Sequence, residues 1–212
     1  MSQKTDLVNF KEISQEIASN GFNVRDDLKH LSVEEIREIN QQDRLDYDVM
    51  ALSLTGDMNI GNIVRTSLLH GVSKVWVYGR RKFDSRGAVG SQNYLDVERI
   101  YGFEGDGNSM KFDVDQFRQI VLDNHFIPVF VEQGGMPLGS FNWANDIYEV
   151  DRKILLVMGN ETNGIPDDIL ALKDELRGYT VSIPQRGVMR SFNVGTAMAI
   201  VAWDLRKDLQ WF

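Results

Sequence analysis

The stretch Ile154-Leu155-Leu156-Val157-Met158-Gly159-Asn160-Glu161-Thr162-Asn163-Gly164-Ile165-Pro166 joins an apolar run to a loop rich in glycine and amides. A second apolar run, residues 179–184, leads into another loop, residues 185–190. Apolar runs of strand length that close on Gly or Pro are typical of buried parallel strands. Two such loops at strand ends predict a crevice in which an α/β sheet binds a ligand.

A helix is predicted directly after the second loop, with Asn193 as its N-cap, because an amide oxygen there can accept from the free amides of the first turn. A helix that is apolar all round is buried, either in a core or against a second subunit. Apolar residues occupy almost every side of this one: Val194, Ala197, Met198, Ile200, Val201, Trp203 and Leu205.

Length and composition limit the classes of protein to which this chain can belong. The 212 residues suffice for one domain, or for a domain with a small appendage. No stretch approaches the ~20 apolar residues of a membrane span, and the first residues have no apolar signal core. We therefore expect a cytoplasmic protein without membrane contact. The absence of cysteine excludes disulfides, thiolate metal sites and a cysteine nucleophile.

The net charge of −8 argues against a generic nucleic-acid binder. Residues 1–48 carry 6 basic and 11 acidic side chains, whereas residues 49–212 carry 17 and 20. A cluster of four basic residues in the second part can still bind RNA phosphates, although a solvated charged loop is the alternative. Its members are Arg80, Arg81, Lys82 and Arg86.

The N-terminal part predicts two helices: one over residues 4–20, and one after Ser32, which forms a capping box with Glu35. Residues 1–46 form an acidic helical arm with too few apolar residues for a core of its own. We expect the arm to pack on the main domain, residues 47–212, or on a partner subunit.

The main domain is predicted to be α/β, a mostly parallel sheet with helices on both faces. Residues 59–70 form a helix closed by Gly71, residues 114–123 an amphipathic helix and residues 86–94 a small helix. Residues 102–107 are interpreted as a turn, and Pro128 favours an early or edge position in its strand. The predicted strands cover residues 49–54, 74–79, 97–101, 126–131, 154–158 and 179–184.

Three motifs resemble those of one known family. The loop of residues 159–166, the segment of residues 183–187 and Ser191-Phe192-Asn193-Val194 resemble motifs 2 and 3 of the SpoU/TrmH-like branch of the SPOUT methyltransferases. Asn59 and Arg65, six residues apart, match motif 1. The resemblance covers roughly residues 48–205. It implies an α/β-knot fold with a C-terminal trefoil knot, which spacing alone does not reveal.

The resemblance implies S-adenosylmethionine-dependent methylation of a ribose 2′-hydroxyl in tRNA or rRNA, by a homodimer whose site lies near the subunit interface, without a metal. Glycines at the donor site let the main chain approach the ligand, although they also turn the chain. The matching donor-binding positions are Val131, Glu132, Gly159, Gly164, Ile183 and Phe192.

Arg65 is the residue expected to activate the ribose hydroxyl, either as a base together with a substrate phosphate or as a stabiliser of negative charge. Its alternative reading is a surface arginine. Asn59, Ser191 and Asn193 match polar positions around ribose and donor. Glu161 matches an acidic position that receives a hydrogen bond or ion pair from Arg65 or a partner subunit.

The sequence departs from the family pattern in two places: Phe192 replaces the usual Leu, which predicts a tighter pocket, and the pair Gly195-Thr196 puts the start of the last helix and dimer packing in doubt. His70 matches no motif and is interpreted as a cation at a helix C-terminus. Two other functions stay open. The first is methylation of a base nitrogen, which needs a different acid–base group, commonly an Asp. The second is a non-catalytic RNA-binding or assembly factor, which the acidic charge favours.

Overall fold

A computed structural model describes residues 23–52, 57–79, 84–104, 111–147 and 152–209. Six strands in this part of the chain form one sheet: β1 (Tyr47–Leu52), β2 (Lys74–Tyr78), β3 (Asp96–Ile100), β6 (Phe126–Pro137), β7 (Lys153–Met158) and β8 (Tyr179–Ser182). Their order in the sheet is β3-β2-β1-β7-β6-β8, with every neighbouring pair parallel. A separate antiparallel pair consists of β4 (Phe103–Glu104) and β5 (Lys111–Phe112).

Seven α-helices fall within the described residues. They are α1 (Val33–Gln42), α2 (Asp57–Leu69), α3 (Ser85–Ala88), α4 (Val114–Asp123), α5 (Trp143–Ile147), α6 (Asp167–Leu170) and α7 (Val194–Leu209). Short 3-10 turns cover Asp26–Leu28, Ser91–Asn93 and Leu138–Ser140. Among these helices none has the length and apolar character that a bilayer crossing needs.

The sheet is buried on both faces because alternate side chains of its strands point into two different cores. Leu156 and its same-face neighbours pack under α2, α5 and α7. Leu155 and Val157 point the other way and pack with the residues of α4 and α6. The predicted parallel sheet with helices on both faces is confirmed.

The predicted boundaries of α1, α2, α4 and α7 agree closely with the structure, whereas the small helix predicted over residues 86–94 is wrong: α3 ends at Ala88, and a separate 3-10 turn covers Ser91–Asn93. Ser32 and Glu35 form the capping box at the start of α1. Gly71 follows α2 with φ of +70°, the left-handed conformation of a C-terminal glycine. Asn193 Oδ1 accepts from the amides of Gly195 and Thr196 at 2.9 and 3.4 Å, so Asn193 caps α7 and the departure at residues 195–196 leaves the helix start intact.

The predicted end of the fourth predicted strand, residues 126–131, is wrong. β6 continues to Pro137 beyond an irregularity between Val131 and Met136, both of which face Val181 on β8. Residues 132–135 therefore form a bulge rather than the end of the strand. Pro128 lies early in β6. Pairing with β8 starts only at Val129, so β8 forms no ladder hydrogen bond with Pro128, the residue that lacks an N–H.

Part of the predicted turn, Phe103 and Glu104, is strand β4. The predicted helix over residues 4–20 lies outside the described residues, as do Ser53 and Leu54 at the end of the first predicted strand. Helix α1 packs on the main body, one of the two alternatives for the arm. Its Asn40 donates to the Tyr94 carbonyl, and Arg37 pairs with Asp96.

The interpretation of His70 as a helix-terminal cation is wrong. Burial, and then the nearby Arg206, lower the pKa of His70 and so favour the neutral ring. Arg206 supplies the cation there, because its Nη1 lies 3.5 Å from the Leu69 carbonyl oxygen at the end of α2 and 3.4 Å from His70 Nδ1.

Helix α7 is buried on one side and exposed on the other within a single chain. Met198, Val201 and Leu205 are fully buried, whereas Trp203 is 61% exposed. An indole in water is an apolar surface that a partner would cover. The trefoil knot stays a prediction.

Candidate functional site

The three sequence motifs meet at one edge of the sheet. Because the strands are parallel, α2 begins at the edge where the loops after β7 and β8 also lie. Asn59 Nδ2 donates to Glu161 Oε1 at 2.6 Å, and Asn193 Nδ2 donates to Asn59 Oδ1 at 3.0 Å. These bonds join residues 102 and 134 positions apart, so the fold assembles one polar chain from all three motifs.

The loop after β7 is folded back on itself by backbone bonds. Asn160 and Gly164 exchange two of them, at 2.8 and 2.9 Å, and the Asn160 side chain accepts from the Thr162 amide at 2.8 Å. Gly164 has φ of +68°, which a side chain would strain. A Cβ on Gly159 would lie 2.5 Å from the Gly164 carbonyl carbon, so this position requires glycine for close packing.

The bulge of β6 holds this loop in place by a hydrogen bond from the other side. Glu132 Oε2 accepts from the Ile165 amide at 2.9 Å, and Glu132 Oε1 accepts from the Gln133 amide at 2.8 Å. A Cβ on Gly164 would meet the Glu132 carboxylate at 2.4 Å, which shows how closely the two segments pack. Glu132 therefore shapes the wall of the site by holding the loop after β7.

A cleft of about 830 Å³ opens between the bulge and the loops after β7 and β8. Its volume lies in the range of ligand sites, about 300–1,000 Å³. All six predicted donor-binding positions line it: Val131, Glu132, Gly159, Gly164, Ile183 and Phe192. Phe192 lines the cleft with its ring exposed, and the tighter pocket stays a prediction.

The lining suits S-adenosylmethionine in its chemistry. Val131, Ile165 and Ile183 offer apolar contacts for a purine and a thioether chain, while the Asn160 loop and the bulge offer polar groups. Gly159 lets the main chain lie close to a ligand. Within the described part of the chain, no cluster of three or more His, Asp or Glu side chains is placed to bind a metal ion.

The five predicted catalytic residues do not all reach the cleft. Glu161 and Ser191 line it, and Asn59 and Asn193 are hydrogen-bonded beside it. Arg65, in contrast, is exposed on α2, and the described residues that line the cleft do not include it.

Arg65 and a partner subunit are the two donors expected for Glu161; within the described residues Glu161 accepts from Asn59 and has no bond from Arg65. Arg65 is one of four arginines that form neither an ion pair nor a side-chain hydrogen bond within the described residues; the others are Arg177, Arg186 and Arg190. A free guanidinium is available to bind an anion from another molecule.

The predicted basic cluster is only partly described: Arg80, Arg81 and Lys82 lie outside the described residues. Arg86 is exposed, but its Nε lies 3.0 and 2.8 Å from the two carboxylate oxygens of Asp84. Hydrogen bonds from Arg86 hold the pKa of Asp84 below its usual value, so this carboxylate is ionised at neutral pH. Asp84 therefore compensates the charge of Arg86.

Sequence reasoning missed Gln133. Its Nε2 donates to the Arg190 carbonyl at 2.6 Å and so links the bulge to the loop after β8. The two residues are 57 positions apart, and no local sequence pattern predicts a hydrogen bond between them. Adjacent residues of the bulge, Glu132 and Gln133, thus hold both loops of the cleft.

Relatives in sequence are RNA methyltransferases by name. The tRNA (guanosine(18)-2'-O)-methyltransferase of Escherichia coli K12 is 28% identical over 157 residues, which are 72% of this chain and 59% of that protein. The mouse tRNA (guanosine(18)-2'-O)-methyltransferase TARBP1 is 39% identical over 61 residues, 29% of this chain and 4% of that protein. The chain therefore spans less than two thirds of the length of either relative.

Solved structures share the fold. The A. aeolicus TrmH/SpoU tRNA modifying enzyme superposes with a TM-score of 0.63 at 20% identity, covering 84% of this chain and 83% of that one. The SpoU methyltransferase AviRb of Streptomyces viridochromogenes, in complex with AdoMet, gives 0.58 at 24% identity, covering 77% and 58%. The model of the SpoU rRNA Methylase family matches residues 47–203, and the chain belongs to that family.

Proposed function

We propose that the chain transfers a methyl group from S-adenosylmethionine to a ribose 2′-hydroxyl of RNA. The observation that carries the proposal is the junction of Asn59, Glu161 and Asn193 beside a cleft of about 830 Å³ lined by all six predicted donor positions. The name of the relative from E. coli, 28% identical over 72% of this chain, favours tRNA as the substrate class.

When bound, the donor supplies an electrophilic methyl group on a sulfonium centre. The ribose hydroxyl is a very weak acid, so the protein must favour its alkoxide form while the methyl–sulfur bond breaks and the new oxygen–methyl bond forms. The hydroxyl proton leaves to a substrate phosphate or to water. Arg65 stabilises the developing negative charge through its guanidinium group. Its lack of an ion pair within the described residues supports this role.

The polar chain orients the reacting groups. Glu161 accepts from Asn59, which fixes the Asn59 amide so that its oxygen accepts from Asn193. Asn193 also caps α7, so its position is tied to the last helix. Ser191, on the cleft wall, offers a hydroxyl to the ribose or the donor.

We propose that the active form is a homodimer. Arg65 is absent from the lining of its own cleft, and a partner subunit would bring a second Arg65 to it. Exposed apolar side chains on α2 and α7 offer a surface for the partner: Leu69 is 70% and Trp203 61% exposed. The cytoplasm, where tRNA is modified, is the proposed location.

The test is transfer of label from S-adenosylmethionine to RNA that lacks modifications, followed by alkaline digestion. A 2′-O-methyl group blocks cleavage at its nucleotide, so the expected product is a labelled, alkali-resistant dinucleotide. Label on a base would support the base-nitrogen alternative and overturn the ribose proposal. Measurable donor binding without transfer to tRNA or rRNA would support the non-catalytic factor instead.

We also expect Asp84→Asn to raise the affinity for RNA. Asn retains the N-cap of α3, while removal of the carboxylate leaves Arg86 uncompensated. One additional phosphate contact should strengthen RNA binding severalfold at low salt and steepen its salt dependence by about 0.7–0.9 in log–log slope. Filter binding across a salt series measures both. An unchanged slope would show that Arg86 is not part of the RNA site.

A further inference from the structure

The loop between β8 and α7, residues 185–192, is here named the arginine loop. Every one of its residues is exposed, and it contains Arg186 and Arg190 but no acidic side chain. Val188 and Met189 lie between the two arginines with their apolar side chains in water, Met189 being 77% exposed. Cationic and apolar groups side by side are unusual on a surface that only meets solvent.

Among the described residues, the charge of this loop is uncompensated, unlike most of the basic charge. Arg86 is paired with Asp84, Lys74 with Glu98 and Lys153 with Asp48. Within the described residues neither Arg186 nor Arg190 has an ion pair or a side-chain hydrogen bond. On a chain of net charge −8, such groups are the places where a polyanion can bind.

The position of the arginine loop points the same way. Gln185, Arg190 and Phe192 line the cleft, so the loop forms part of its rim. Gln133 Nε2 donates to the Arg190 carbonyl and Asn193 caps the following helix, so both the loop and its exit are fixed by hydrogen bonds. Arg177, the other free arginine near this strand, precedes β8 and so lies at the opposite edge of the sheet.

We propose that the arginine loop binds single-stranded RNA beside the target ribose, with Arg186 and Arg190 on backbone phosphates and Val188 and Met189 against an unstacked base. The inference rests on the proposed function in taking RNA as the substrate. Guanidinium groups pair with phosphates bidentately, and an apolar side chain covers a base face only when the base is not stacked in a duplex. The arginine loop thus selects loops or bulges of a folded RNA.

The test is equilibrium binding of a short fluorescent oligouridylate, alone and paired to oligoadenylate, across a salt series. Arg186→Ala combined with Arg190→Ala should weaken single-strand binding about tenfold and reduce the salt slope by about 1.4, which is two phosphate contacts. Val188→Ser with Met189→Ser should weaken binding without changing the slope. The matched control, Arg177→Ala, removes another exposed arginine, one that has no ion pair within the described residues and lies at the far edge, and should bind like the unaltered protein.

Equal effects of the double arginine variant and Arg177→Ala would overturn the inference, as would equal affinity of the unaltered protein for the paired strand. Binding of an acidic protein in place of RNA, sensitive to the same arginines, would also overturn it. Failure of the proposed function gives a different result: loop-dependent RNA binding persists while no RNA receives a methyl group. Methyl transfer with loop-independent binding would instead leave the proposed function standing.

Discussion

Replacement of Arg65 by alanine is expected to lower the rate constant of methyl transfer about 10²–10³-fold, the usual effect of removing one group that stabilises transition-state charge. The reason is that Arg65 offers a guanidinium with no ion pair in the described part of its own chain. Because the described lining of the cleft does not include Arg65, the affinity for S-adenosylmethionine should stay near that of the unaltered protein. Single-turnover transfer and calorimetric titration measure the two quantities separately.

Arg177→Ala is the matched control, since Arg177 is also exposed and also lacks an ion pair or side-chain hydrogen bond within the described residues. It precedes β8, at the edge of the sheet away from the cleft, and should leave transfer unchanged. Equal loss in both variants, or full activity of Arg65→Ala, would remove Arg65 from the mechanism.

Arg65→Lys separates the two roles left open for this residue. A lysine ammonium titrates near pH 10.4, well below a guanidinium, so a basic role would make the variant increasingly active as pH rises toward that value. Pure charge stabilisation would give intermediate activity that falls once the ammonium loses its proton. The pH profile of single-turnover transfer distinguishes the two.

Mixed dimers test which subunit supplies Arg65. If the partner supplies it, mixing an inactive Arg65→Ala chain with an inactive cleft variant recreates one complete site in each mixed dimer. Random pairing of equal amounts should then restore about one quarter of the activity, since half of the dimers are mixed and one of their two sites is complete. No recovery after subunit exchange would place Arg65 at the cleft of its own chain.

The sequence predicts those parts of the fold that depend on local patterns. The apolar run at residues 154–158 becomes β7 because a parallel strand in the middle of a sheet is covered on both faces. Gly71 ends a helix because a residue without a Cβ adopts the left-handed conformation at no steric cost, and Asn193 begins one because its amide oxygen caps the first turn. The bulge at residues 132–135 was missed, because two consecutive glycines are equally typical of a turn that ends a strand.

Long-range geometry at the site follows from no local pattern. Asn59 and Glu161 are 102 residues apart, and only the sheet order brings them within 2.6 Å. The resemblance to a family identifies the cleft positions, but it does not predict the hydrogen-bond partner of the acidic residue in motif 2. The compensation of Arg86 by Asp84 is different: two residues separate them, so local charge counting that included Asp84 would have found it.

Gly159→Ala is expected to weaken donor binding strongly. A Cβ at this position would lie 2.5 Å from the Gly164 carbonyl carbon and 2.7 Å from the Ile165 nitrogen. Both are backbone atoms, which cannot rotate out of the way as a flexible side chain can. The loop after β7 must therefore move away from the new Cβ. Overpacking of this kind costs about 1–3 kcal/mol, which corresponds to roughly 5- to 150-fold in affinity if it acts on the donor-binding state.

This movement has a second consequence. Ile165 is buried, and its amide donates a hydrogen bond to the Glu132 carboxylate at 2.9 Å. Movement of the loop breaks this bond and separates the loop from the bulge, so one wall of the cleft loses its support. Calorimetric titration with S-adenosylmethionine reports the loss of affinity, and thermal unfolding reports whether the fold survives. Gly139→Ala is the control, since a Cβ there would meet no atom within 4 Å. Donor affinity that stays equal in the two variants would show that the close packing of Gly159 does not shape the donor site.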